Sequence, residues 1–304
     1  MGAAPTVELE GVNGQMFTLS GPGAGAQGVT LKTNVEGLYD APVKPIYTSH
    51  ANERGSTYQG KRDLQRDIQF GVSVLGAAGT WEDLDSAWRL AFDYGNRTAR
   101  LWVQTEKSRR YIDIALSREP EVVDPFKGHA LGYTRIVMHC VAADPNWYDT
   151  PETFSWVAPT DTTDGSTVNG TIAVPYANPT SEPIWPQWVA QGALGTRWII
   201  PDYSFGDDRK KRAVADADRR IMMPLLLGGE HLYIDTDESA KHEQVRSSLD
   251  TQIYLRMNGV SFTYPIPAGR QQTNFNVSVS KAPAGVGIQL RLIRPYSRPW
   301  GLRL

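Results

Sequence analysis

The chain has 304 residues, with 31 basic and 33 acidic side chains and a formal net charge of −2. That balance provides no broad electrostatic attraction to nucleic acid or an anionic membrane. A single cysteine, Cys140, rules out an intramolecular disulfide and a zinc site built from several thiolates.

At roughly 150 residues per domain, this length suggests two domains, each able to bury a core. The 28 glycines, 20 prolines, nine tryptophans and 13 tyrosines lean towards a turn-rich β fold. Residues 1–10 lack the basic-then-apolar pattern of a secretory signal, and no run approaches the ~18 apolar residues of a membrane span. The expectation is a protein that matures in a cytoplasm, or in a particle assembled there.

Taken in chain order, strands are predicted at 6–10, 16–20, 29–33, 43–48 and 64–75. Between the second and third lies Gly23-Ala24-Gly25-Ala26-Gln27-Gly28, a literal GxGxxG. A pyrophosphate cradle needs that loop to open a helix, and Val29 to Lys32 continue as a strand, so it reads as a hairpin loop. One segment breaks the β pattern. Thr80 is a good N-cap, Glu82 and Asp83 suit a first turn, and Trp81, Leu84, Trp88 and Ala91 recur at helical spacing. An amphipathic helix is predicted over 81–94, with Gly95 as its stop. A hairpin follows, from 100–105 across a polar turn into Ile112, Ile114 and Leu116. Ile136, Met138 and Cys140 share one face of another strand. His139 therefore points away from Cys140, and the pair reads as a core thiol beside a histidine, not a nucleophile and its base.

From 151 to 170 the aliphatics thin out and turn formers gather, most densely from Pro159 to Ser166. This stretch is read as a linker between an N-terminal domain (1–150) and a C-terminal domain (171–304). Further strands are predicted at 171–174, 187–190, 197–200, 221–227, 231–235, 252–256, 262–266, 275–279 and 288–292, enough short strands for a sandwich.

Ligand motifs are few. Asp235-Thr236-Asp237-Glu238 lacks the glycine and the spaced glutamate of an EF-hand and reads as a polar turn. The basic run Arg209-Lys210-Lys211-Arg212 is offset by four aspartates within residues 207–220 and reads as a solvated or inter-subunit loop. Neither GxSxG nor HExxH occurs, so no catalytic residue, metal or cofactor is expected. Paired carboxylates for glycoside cleavage remain an open alternative, because spacing in space is invisible here. Trp185, Trp188 and Trp198, near Tyr203, are candidate sugar contacts if exposed; core or subunit-interface positions are the competing reading.

Three stretches resemble something specific: Ala142-Ala143-Asp144-Pro145-Asn146-Trp147-Tyr148-Asp149, Gly228-Gly229-Glu230-His231-Leu232-Tyr233-Ile234-Asp235-Thr236, and Arg294-Pro295-Tyr296-Ser297-Arg298-Pro299-Trp300-Gly301. With the strand–helix–hairpin order of the first half, nearly the whole chain resembles the distal tail protein family of long-tailed siphophages, often described as minor tail proteins. The resemblance implies a mainly β protein with a tail-tube-like N-terminal domain, one flanking helix and a galectin-like C-terminal sandwich. It implies a virion structural component at the tail tip: a homohexameric baseplate ring with a channel for DNA ejection, without enzymatic activity. Its implied partners are its own copies, the tail-tube protein, the tail-associated hub protein and receptor-binding or fibre proteins used in host attachment. Sequence-specific nucleic acid and membrane are not among them. A carbohydrate-binding module assisting adsorption to the host wall is the alternative. A closed ring needs two different patches per subunit. The polar stretch from Ser49 to Arg62, with Gly55 and Gly60, is too long for an ordinary connector and is the candidate inter-subunit arm.

Overall fold

The computed structural model describes residues 4–32, 35–52, 54–76, 80–123, 127–207, 210–239 and 244–303. It is mainly β and divides into two compact units, Met1–Asp149 with Tyr296–Leu302, and Thr150–Pro295 with Arg303–Leu304.

The first unit contains β1 (Thr6–Glu10), β2 (Met16–Ser20), β3 (Val29–Leu31), β4 (Val43–Thr48), β5 (Thr57–Asp63), β6 (Arg66–Leu75), α1 (Trp81–Leu90), β7 (Ala99–Gln104), β8 (Arg109–Leu116), β9 (Glu121–Val122), α2 (Lys127–Leu131), β10 (Tyr133–Ala142) and β11 (Trp147–Asp149). Its large sheet runs β2-β1-β7-β8-β10-β6-β3, with β9 on β10 and β11 on β8. Period-two alternation makes one face of this sheet apolar. Ile68, Phe70, Val72 and Val74 of β6, Ile112 and Ile114 of β8, and Ile136, Met138 and Cys140 of β10 are buried together. Helix α1 closes over them with Trp88, which is fully buried edge-on to Phe17 at 5.2 Å and to Phe92 at 5.0 Å. The helix ends at Leu90, short of the predicted 94. The Ala91 carbonyl instead accepts the Val12 N–H at 2.9 Å, and Gly95 sits beyond, in the following loop. The short α2 was not anticipated; five residues are too few to show an amphipathic period.

Strands β4 and β5 form a separate two-stranded hairpin outside the large sheet.

The second unit contains β12 (Glu152–Val157), β13 (Thr167–Val174), β14 (Gln187–Ala190), β15 (Arg197–Pro201), β16 (Arg220–Met222), β17 (Leu232–Asp235), β18 (Val245–Ser247), α3 (Ile253–Arg256), β19 (Thr273–Ser280) and β20 (Gly287–Leu292). Two antiparallel sheets, β12-β20-β14-β17-β18 and β13-β19-β15-β16, bury one core between them. This is a β-sandwich. Phe275, Val277 and Val279 of β19 face Ile288, Leu290 and Leu292 of β20 across it.

Four sequence expectations change here. Much of the stretch read as a linker is strand: β12 pairs with β20 along its whole length, and β13 with β19, leaving Pro151 and residues 158–166 irregular. Both are edge strands rich in Ser, Thr and Asn, so their apolar alternation is thin. Gly170 in β13 is required because a Cβ there would lie 2.1 Å from the Trp156 indole. The predicted strand 252–256 is instead α3. Residues 262–266 bury Phe262, Tyr264 and Ile266 but form no ladder, making among the described residues only the isolated Ile184–Ile266 bridge. Side chains take the donors that a neighbouring strand would have taken: Phe262 N–H goes to Gln244 Oε1, and the Thr263 and Tyr264 N–H groups go to the Asp202 carboxylate. The predicted strand 221–227 stops at Met222, because Pro224 has no N–H for a ladder.

Candidate functional site

Two buried arginines organise the first unit. Arg66 opens β6 in the same phase as Ile68 and Phe70, so its side chain enters the core side of the sheet. Its guanidinium donates to five backbone carbonyls: Pro145 (2.9 Å), Gly37 (2.9 Å), Leu38 (2.8 Å), Tyr39 (2.8 Å) and Ser297 (2.8 Å). Burial lowers its pKa to about 10, so it stays charged at neutral pH. Gly37 makes this possible. Its φ is +76°, and a Cβ there would sit 1.9 Å from the Asp67 carbonyl oxygen.

Arg110 repeats the device on β8, in phase with Ile112 and Ile114. It donates to the carbonyls of Arg298 (2.9 Å) and Gly301 (2.8 Å), pairs with Asp149 at 3.3 Å, and stacks 3.3 Å above the Tyr296 ring. Trp147, fully buried, donates its indole N–H to Leu38 O, Tyr39 meets Trp300 edge-on, and Arg298 pairs with Asp40. The segments Asp144–Asp149 and Tyr296–Gly301 are thus neighbours in space, joined through arginine-to-carbonyl bonds. Charge-assisted, multidentate bonds of this kind are the strong ones. Sequence reading passed over Arg66 and Arg110. The available signal was a charged residue standing in the inward phase of an otherwise apolar strand.

The second motif, Gly228 to Thr236, is built around a buried carboxylate. Glu230 has no exposed surface and accepts from Arg256 and Thr251, from Ser247 Oγ at 2.7 Å and from Leu227 N–H at 2.8 Å. Burial opposes its ionisation, but these donors outweigh burial and hold its pKa at about 2.

The segment singled out as an arm lies in the β4–β5 hairpin and its tip. Ser49, Gly55 and Arg62 are exposed and Gly60 is half-buried; Glu53 lies outside the described residues. Ile46, Tyr47 and Tyr58 are 44, 57 and 56% exposed, and the two tyrosine rings touch at 5.6 Å.

The tryptophans are placed otherwise than the sugar-contact reading needs. Trp188 and Trp198 are in the sandwich core, Trp198 with its indole N–H on Gln191 O at 2.6 Å; only Trp185 is half-buried. Their period-two spacing from core aliphatics puts them on the inner face. Cys140 is likewise a core residue, its thiol pushed up to about 12 by burial, while His139 lies 2.9 Å from Arg118. The Gly23–Gly28 loop is a run of turns leading into β3. Asp235 and Asp237 cap local turns, and Glu238 pairs with Lys210. Of the basic run, Arg209 lies outside the described residues, and Arg212 pairs with Asp216 at 3.3 Å.

Two β modules, held by buried arginine and glutamate hubs and carrying an exposed hairpin, have the fold of phage tail-tip hub proteins. The crystal structure of the Dit protein of phage SPP1, described as a paradigm of the hub adsorption apparatus in phages infecting Gram-positive hosts, matches 95% of this chain and 98% of its own length at a TM-score of 0.54 and 11% identity. A chain of the phage p2 baseplate in its activated conformation matches at 0.55 over 96% and 98%, also at 11% identity. No family model matches the chain. Sequence narrows the assignment: the chain is 36% identical to minor tail protein Gp27 of Mycobacterium phage D29, over 97% of this chain and 98% of that protein, with the same figures for Gp27 of Mycobacterium phage L5. The chain belongs to this family of minor tail proteins, and it is a structural component of the virion tail.

Proposed function

We propose that the protein is a ring-forming adaptor of the tail tip, six copies closing around a channel for DNA. The ring links the tail tube to the hub and to receptor-binding or fibre proteins, the sandwich offering the attachment surface. The exposed β4–β5 hairpin carries this reading. An isolated two-stranded hairpin is marginally stable in water, and here it holds tyrosines and an isoleucine in solvent. It makes sense as an arm that gains its cover from a neighbouring subunit, one of the two unlike patches a closed ring requires. Six copies at −2 each carry −12, which suits passage of DNA without gripping phosphate.

In this reading the protein has no chemistry of its own, and zymography against host walls should show no clearing. Mass photometry of the purified protein, alone and mixed with tube or hub proteins, tests the ring. Particles at six chain masses support it; a chain that stays monomeric in every mixture would sink it.

A further inference from the structure

A closed ring needs a second, unlike patch, and the first unit offers a candidate for it. A cleft of about 350 Å³ opens on the outer face of the large sheet, where β8 meets the end of β10. Tyr94 (65% exposed) and Tyr148 form walls, and Asp113 and Asp144 supply carboxylates. Asp113 is neutralised by Arg100 at 2.8 Å. Asp144 is different. It accepts the Tyr148 hydroxyl and, at 3.0 Å, the Asn146 N–H; the Arg66 guanidinium, committed to its five carbonyls, feels its charge from further off, and among the described residues no cation lies within ion-pairing distance. An exposed carboxylate flanked by aromatic rings is a receptor for a guanidinium or ammonium group.

The arm carries the matching charge. Residues 43–63 hold four basic side chains, Lys44, Arg54, Lys61 and Arg62, against Glu53 and Asp63, a net +2 that leaves −4 on the rest of the chain. Lys61 pairs with Asp63, whereas Lys44, Arg54 and Arg62 have no ion-pair partner among the described residues. Arg54 sits in the connection between β4 and β5, at the tip end of a hairpin whose strands reach about 20 Å at ~3.3 Å per residue.

We infer that the arm of one copy docks on the next copy of this chain by seating Arg54 in the Tyr94–Tyr148 cleft against Asp144. The inference rests on the ring reading above and names the surface on which the arm lands. A tip cation and a cleft carboxylate, neither with an ion-pair partner among the described residues, form a head-to-tail pair, so the same two patches recur at every interface of a closed ring. Opposite charges placed this way also fix register and suppress wrong pairings.

Charge exchange tests it. Arg54→Glu and Asp144→Lys are made singly and together, with thermal melting of each monomer as the folding control. Assembly is read by mass photometry under the conditions that close wild-type rings. Each single variant should raise the concentration needed for rings at least tenfold with little change in melting, and the double variant should recover most of the loss. Single variants that assemble like wild type overturn the docking site and leave the ring standing. Single variants that fail without rescue in a double variant of normal melting overturn the Arg54–Asp144 pairing. Wild-type protein that forms no ring with any partner overturns the ring reading itself, and this inference with it.

Discussion

Arg66 serves as a knot more than as a charge. Its five acceptors come from three separate segments, residues 37–39, Pro145 and Ser297, and all would lose this donor in Arg66→Met, Leu38 O alone keeping the Trp147 indole. That variant should lose about 3–5 kcal/mol in chemical denaturation, since each buried carbonyl left without a donor costs about 1–3 kcal/mol while the more exposed ones turn to water. Arg66→Lys should recover less than half of it, because an ammonium lacks the planar fork that reaches several carbonyls at once. Equal stability of the lysine variant and the wild type would show that charge alone is needed. Glu230 gives a pH-dependent counterpart. Its folded pKa of about 2 lies below the ordinary value of 4.5, so its contribution is fully present above 4.5 and is lost as pH falls from there towards 2. Glu230→Gln should therefore be less stable at neutral pH and should flatten the acid limb of a stability–pH curve in that window. A limb that keeps its slope would assign the acid sensitivity to other carboxylates.

At the scale of elements, legibility followed the strength of the apolar period. Strands β7, β8, β10, β19 and β20 were readable because each alternates aliphatic side chains into a core. The edge strand β12 and the first half of β13 were not, since an edge needs few apolar residues, and residues 262–266 misled because Phe262, Tyr264 and Ile266 are buried there without a ladder. The hairpin is the converse case. Its first strand was legible, but its solvent exposure was visible only in three dimensions. This yields a prediction about the arm. Trypsin should cut first at Arg54, Lys61 or Arg62 in free protein, since the hairpin has no core contact to hold it closed. The same bonds should be protected in assembled particles. Mass spectrometry of timed digests reads both states, and equal cleavage in free and assembled protein would remove the arm from the interface.

Across the whole molecule, the candidate site was half legible. The three motifs were visible in the sequence, but the meeting of the first and third was not, because carbonyl acceptors carry no residue code and Arg66 lies 231 positions from Ser297. The chain completes its first module with its last segment. Tyr296–Leu302 belongs with Met1–Asp149, and it supplies the ring under Arg110, two carbonyls to that guanidinium, one to Arg66, and the partner of Asp40. Removing residues 296–304 should therefore weaken the module that is remote in sequence and spare the one that is adjacent. Arg110 would keep only Asp149 and Arg66 would lose one of its five acceptors, leaving buried donors unpaired at about 1–3 kcal/mol each. Hydrogen exchange read by mass spectrometry should accelerate in β6, β8 and β11 while β14 and β19 keep their protection. Acceleration confined to the sandwich strands would mean that the tail stabilises the second module instead, and that the arginine clamps contribute little to holding the first one together.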